Sequence, residues 1–198
     1  MANRNTPVDL STGVFRFEDD GPDATLNGSF TKPVLIVDES PLAEDGDNSD
    51  TEAFAGAFGA VIDYGTDGAG SVSYQLVLSA PGAASGLFAL DASDTETVID
   101  PLGQGASITL HAGAVAGTIE GRVGATVYFT ISTDGSGNVT LARNPAVNLW
   151  NDDPSNPDDP EILTAALNTI RLQQTVTDAD GEPEHAGRPV DRRVPVRG

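Results

Sequence analysis

The run Ala125-Thr126-Val127-Tyr128-Phe129-Thr130-Ile131-Ser132, the turn Thr133-Asp134-Gly135-Ser136-Gly137 and the run Asn138-Val139-Thr140-Leu141 follow one another without a break. Apolar and polar residues alternate through both runs, the period of a strand with one buried face. The glycines between them permit the positive φ values that a tight reversal needs. The three pieces read as a hairpin.

The same period recurs outward from this hairpin. Val14-Phe15-Arg16-Phe17, Val34-Leu35-Ile36-Val37, Val72 to Leu78, Ser107-Ile108-Thr109-Leu110 and Gly117-Thr118-Ile119-Glu120 all read as strands. Turn signals separate them: Asp20-Gly21-Pro22, Asp45-Gly46, Asp67-Gly68, Pro81-Gly82 and Asp180-Gly181. From Ile162 to Gln174, Leu163, Leu167 and Ile170 also fit helical spacing, but the exit through Thr175-Val176-Thr177 favours a strand. Many short strands without βαβ alternation predict an all-β chain, an immunoglobulin-like or cadherin-like antiparallel β-sandwich.

Composition agrees. The chain has 198 residues with Gly 22 and Pro 13, too many for a helical bundle. Val, Leu, Ile and Phe make 47 of the 198, enough apolar mass for a core. Lys+Arg 10 against Asp+Glu 30 gives a net charge of -20, which repels a nucleic-acid backbone. No apolar run approaches the roughly 18 residues of a membrane span, and Met1 to Pro7 lacks the apolar core of a cleaved secretory signal. Cys 0 excludes disulfides and thiolate sites.

The acids concentrate in loops at the strand ends: Asp38-Glu39, Glu44 to Asp50, Asp63 with Asp67, Asp152-Asp153 through Asp158-Asp159, and Asp178-Ala179-Asp180. Calcium takes six to eight oxygen ligands from carboxylates, carbonyls and water, and such loops supply them. Asp38, Glu39, Asp178 and Asp180 are expected at one pole, with Asp63, Asp67 or Asp152, Asp153, Asp158 and Asp159 forming further sites. The plain alternative is that these acids solvate loops, since Asp-Gly and Asp-Pro are ordinary turn chemistry. No EF-hand spacing is met between Asp45 and Glu52. Catalysis finds little footing. His111 sits in a strand, His185 lies near the C-terminus, and Ser85 lacks the glycine two residues earlier that a nucleophile elbow needs. Among thirty acids, a glycosidase pair cannot be singled out. Trp150 and Tyr64, flanked by Asp, suggest either sugar stacking or packing at a sandwich end.

Val37-Asp38-Glu39-Ser40, Asp63 to Val72, Ala84-Ser85-Gly86-Leu87, Tyr128-Phe129-Thr130-Ile131, Val139-Thr140-Leu141 and Gln174 to Gly181 together resemble the tandem repeat of giant type I-secreted, RTX-type bacterial adhesins. The resemblance runs in order from about Val8 to Gly181. It implies an extracellular spacer module at the bacterial cell surface, stiffened by calcium, monomeric, with neighbouring repeats of the same chain as partners. Host or glycan ligands would belong to other domains, or, in the alternative, to this module as a carbohydrate-binding unit. Residues 1–26 are expected to be a junction from a preceding repeat, 27–181 the β-sandwich, and 182–198 an irregular tail.

That tail is unusual. Arg188, Arg192, Arg193 and Arg197 fall within its last eleven residues. Gly187 to Gly198 can be encoded by codons that, read one base later, give Ala-Gly-Arg-Ser-Thr-Gly-Val-Phe-Arg-Phe-Glu, ending in the string of Ser11 to Glu18. A frame-shifted restart of the repeat is the expectation.

Overall fold

The computed structural model describes residues 21–39, 46–59, 62–95, 102–153, 160–181 and 183–185. The chain is an antiparallel β-sandwich. Its larger sheet has the order β1 (Ser49–Ala53), β7 (Asn138–Arg143), β6 (Thr126–Thr133), β5 (Ile119–Val123), β4 (Gln104–Ala112) and β3 (Ala84–Leu90). The smaller has the order β2 (Ala69–Leu78), β8 (Ile170–Asp178) and β9 (Pro183–His185). A single 3₁₀ turn, Ala55–Ala57, is the only helical element among the described residues. No helix among them is long and apolar enough to cross a membrane.

The β6–β7 hairpin forms where the alternation placed it, with Thr133 opposite Val139 and Ile131 opposite Leu141. Asp134 closes its turn: its carboxylate accepts the backbone N–H groups of Ser136 and Asn138 and the Asn138 side-chain amide. Those bonds favour the ionised form, the Asn138 amide first, and hold the Asp134 pKa below its ordinary value.

Apolar residues facing between the sheets make the core. Leu76 of the small sheet packs with Leu87, Ile108, Leu110, Ile119 and Phe129 of the large one. Phe129 lies directly opposite Gly121, and its ring covers the place a side chain would take. A Cβ on Gly121 would stand 2.2 Å from Phe129 Cε1. Ser85, fully buried, donates to the Ile108 carbonyl and accepts the Leu87 N–H, so its hydroxyl is a packing device.

Three differences from the expected strands have local causes. Val34 to Val37 is extended but enters no sheet, because the Ile36 N–H is taken by the Asp50 carboxylate instead of a strand carbonyl. Its alternation survives, with Val34 and Ile36 exposed and Leu35 and Val37 half-buried. From Ile162 to Gln174 only the part from Ile170 onward is strand. The left-handed Asn168, φ 66°, turns the chain just before it. β1 arises inside what reads as an acidic loop, through pairing with β7 and a Thr51–Thr140 hydroxyl contact of 2.8 Å. The Val14 to Phe17 strand lies outside the described residues. At the domain margins, Asp23 bridges Asp63 and Leu26 bridges Phe58, while β9 pairs with β8 beyond Gly181.

Gly121→Val tests the ring-over-glycine contact. It should lower stability in urea unfolding by roughly 1–3 kcal/mol, the usual cost of overpacking a core. An unchanged midpoint would show that the contact carries no weight.

Candidate metal centre

The strand ends decide which acids meet. Asp38 sits on the β1 side, where its N–H donates to the Asp47 carbonyl at 3.1 Å and the Asp47 N–H returns to it at 3.3 Å. Glu39 comes next, and its Oε1 accepts the Leu149 N–H at 3.0 Å. Arg143, at the end of β7, donates from Nη2 to the Glu39 carbonyl and from Nε to the Asp47 carbonyl. Glu161 lies within electrostatic reach of Glu39, and its Oε1 accepts the Asp152 N–H at 3.0 Å. The Asp153 N–H is capped by Asn151 Oδ1.

Electrostatically this group is crowded. Loss of water around the Glu39 carboxyl raises its pKa above the ordinary glutamate value. Asp38 and Glu161 push it further up, while the Leu149 N–H and Arg143 pull it down. Close by in sequence, Asn48 Oδ1 is a buried oxygen with no hydrogen-bond partner among the described residues.

A second group forms where β2 begins. Asp178, the last residue of β8, is 3% exposed and pairs with Ala69. Its Oδ1 accepts the Gly181 N–H, and the Ala179 N–H donates to the Gly68 carbonyl. Gly70 is the extra residue of a bulge here. A Cβ on it would stand 2.1 Å from the Asp178 carbonyl, so only glycine permits the approach. The Asp63 to Gly68 loop leads into this point, with Asp63 Oδ1 holding the Gly65 N–H at 2.9 Å and Asp67 exposed beside Gly68. Asp180 is exposed in the turn after β8.

Asp38 and Glu39 lie on the Asp47 side of β1, and Asp178 and Asp180 at the end of β8. The Val34 to Val37 segment runs beside β1 in the large sheet, whereas Asp178 closes a strand of the small one. Asp158 and Asp159 lie outside the described residues. Glu161 and Arg143 escaped sequence reasoning. Arg143, a lone cation closing a strand in so acidic a chain, was the available signal. Among the described residues no three His, Cys, Asp or Glu side chains stand close enough to hold a metal ion by themselves. A divalent cation at either group would draw part of its shell from main-chain carbonyls and water, which calcium accepts.

Trp150 is engaged in packing. Its Nε1 donates to the Leu102 carbonyl at 2.9 Å, and its ring meets Phe88 edge-on at 6.0 Å. Elsewhere a shallow cleft of about 380 Å³ is lined by Ser73, Tyr74, Gln75, Ala116, Gly117 and Thr133, with no carboxylate among them.

A family model described as a domain of unknown function, DUF5801, matches residues 34–190. No curated protein and no solved structure matches the chain.

Glu39→Gln keeps an acceptor for the Leu149 N–H and removes the crowded charge. A carboxylate whose pKa is raised on folding contributes stability below its unfolded pKa and loses it as pH rises through the folded value. With chelator present at neutral pH, Glu39→Gln should therefore be more stable than the parent, and the gap should close as pH falls below about 4. A parent at least as stable at neutral pH would overturn this account of Glu39.

Proposed function

The chain belongs to this family of unknown function, and we propose that it is an extracellular repeat module, a calcium-stabilised spacer of a type I-secreted bacterial adhesin. The observation that carries the reading is the pairing of acids at strand ends. Glu39 lies within electrostatic reach of Asp38, Glu161 and Arg143, and the loop that carries Asp63 and Asp67 leads into Ala69, which pairs with Asp178 at the end of β8.

Like charges so placed repel in a chain of net charge -20. A divalent cation relieves that repulsion and ties a loop to a strand end. Glu39 gives the sharpest case, since desolvation and its acidic neighbours both disfavour its ionised form until positive charge arrives. Asn48 Oδ1 supports the same reading, as a neutral oxygen of the kind calcium binds.

The role stems from that switch. At low cytosolic calcium the repulsion would loosen the fold and let the chain pass a secretion channel, and millimolar calcium outside would close the loops. A sandwich with tied ends is stiff, which suits a module that holds other domains away from the cell. Its partners are then neighbouring repeats and its ligand is the ion.

Thermal unfolding in millimolar calcium and in EDTA tests this. A site held at about one hundred times its Kd adds about 2.7 kcal/mol, which raises the Tm of a chain this long by roughly 5–10 °C. Asp63→Asn, which keeps the acceptor for the Gly65 N–H, should shrink that rise. Identical melting temperatures in the two buffers would remove the calcium from the proposal.

A further inference from the structure

An uncovered sheet edge is a row of backbone donors and acceptors, and folded chains guard such edges with charge, proline or overlying chain. Three of the four sheet edges among the described residues are guarded in this way. β1 carries Asp50 and Glu52, and the Ile36 N–H of the neighbouring segment is bonded to Asp50. β3 is covered: the Leu90 N–H donates to the Asn148 carbonyl, the Trp150 N–H to the Phe88 carbonyl and the Thr164 N–H to the Ser85 carbonyl. β9 is short, opens with Pro183 and carries Glu184.

β2 has none of these devices. It is the outer strand of the small sheet, paired with β8 on one side, and no backbone bond from the described residues reaches its other side. Its ten residues, Ala69–Leu78, hold no charge, in a chain of net charge -20. The cleft of about 380 Å³ lies along this edge. Ser73, Tyr74 and Gln75 line it in succession. Successive side chains of a strand point to opposite faces, so a cleft that touches all three runs along the flank of the strand. Its far wall is Ala116 and Gly117, in the β4–β5 turn, and Thr133 at the end of β6. The edge is rigid before anything binds: the Tyr74 ring packs on Phe58 at 5.6 Å, and the Gln174 amide donates to its hydroxyl at 3.0 Å.

We propose that the β2 edge is a docking site for an extended peptide segment of a partner, added as a fourth strand of the small sheet, uncharged where it pairs and basic at its ends. The wall selects a single strand over a second folded copy. A copy brings its own six-stranded sheet, which meets Ala116, Gly117 and Thr133 before the two β2 strands can pair. Main-chain bonds to β2 supply the affinity, and alternate side chains of the peptide enter the cleft beside Tyr74 and Thr133. No charged group lines that space, so a charge placed there would lose water without gaining a partner. Beyond the paired stretch, the field of so acidic a chain favours lysine and arginine. No bound ion is needed.

Fluorescence anisotropy tests this with a labelled synthetic peptide of alternating threonine and valine between lysines. Saturable binding to the native chain is expected. Only one edge of the peptide faces β2, so methylating one alternate set of its backbone nitrogens should weaken binding by roughly tenfold, while methylating the other set leaves it unchanged. Ala116→Trp, at an exposed position of the wall, should weaken binding with no change in melting temperature. Glutamates in place of the lysines should also weaken it, by a factor that shrinks as salt rises. Absence of saturable binding, or indifference to both methylated sets, overturns the proposal. Self-association of the chain in light scattering, lost in Ala116→Trp, would put a second copy on the edge and overturn the peptide. Titration in millimolar calcium keeps this result separate from the melting experiment, since a failed titration there leaves the calcium reading untouched.

Discussion

Leu76 is where the two layers meet, seated among Leu87, Ile108, Leu110, Ile119 and Phe129. Removing these side chains from water supplies the main force holding a small, three-stranded sheet against a six-stranded one. Close packing turns that force into geometry. Gly121 leaves room for the Phe129 ring, and Ser85 satisfies the backbone of Ile108 and Leu87 from inside the layer. Once the layers are registered, every strand end has a fixed address, and so does every acid beyond it.

The charge distribution is set by that frame. A carboxylate is costly between the layers and cheap at a turn, so the acids collect at the tips. There they cap backbone N–H groups: Asp134 in the β6–β7 turn, Asp63 before β2, Asp178 after β8. Capping settles the local turn but leaves the long-range repulsion of a chain with net charge -20. Arg143 relieves it for one group by reaching the Glu39 and Asp47 carbonyls, yet Glu39 still binds its proton more tightly than an ordinary glutamate. Folding and ion binding are coupled on this reading because the same loops serve both.

Gly70 and Gly181 show how backbone freedom at two points sets the path of the small sheet. The bulge at Gly70 lets β2 approach the Asp178 carbonyl, and Gly181 turns the chain back along β8. A side chain at the first would block the strand contact. A β-branched residue at the second would resist the left-handed turn that brings β9 onto β8.

Alternation of apolar residues in Val72 to Leu78, Ser107 to Leu110 and Thr126 to Leu141 was enough to place strands and the hairpin, because period two records one buried face directly. The acid-rich turns were equally plain, since Asp beside Gly is local chemistry. Which segments sit side by side was not legible. β1 looks like loop until β7 supplies its partner, and Val34 to Val37 looks like strand until Asp50 takes the Ile36 N–H. Period and turn chemistry depend on residues a few places apart, and a sequence states them outright. Pairing depends on contacts between residues such as Asp50 and Leu141, far apart along the chain, and only burial of the shared core selects among them.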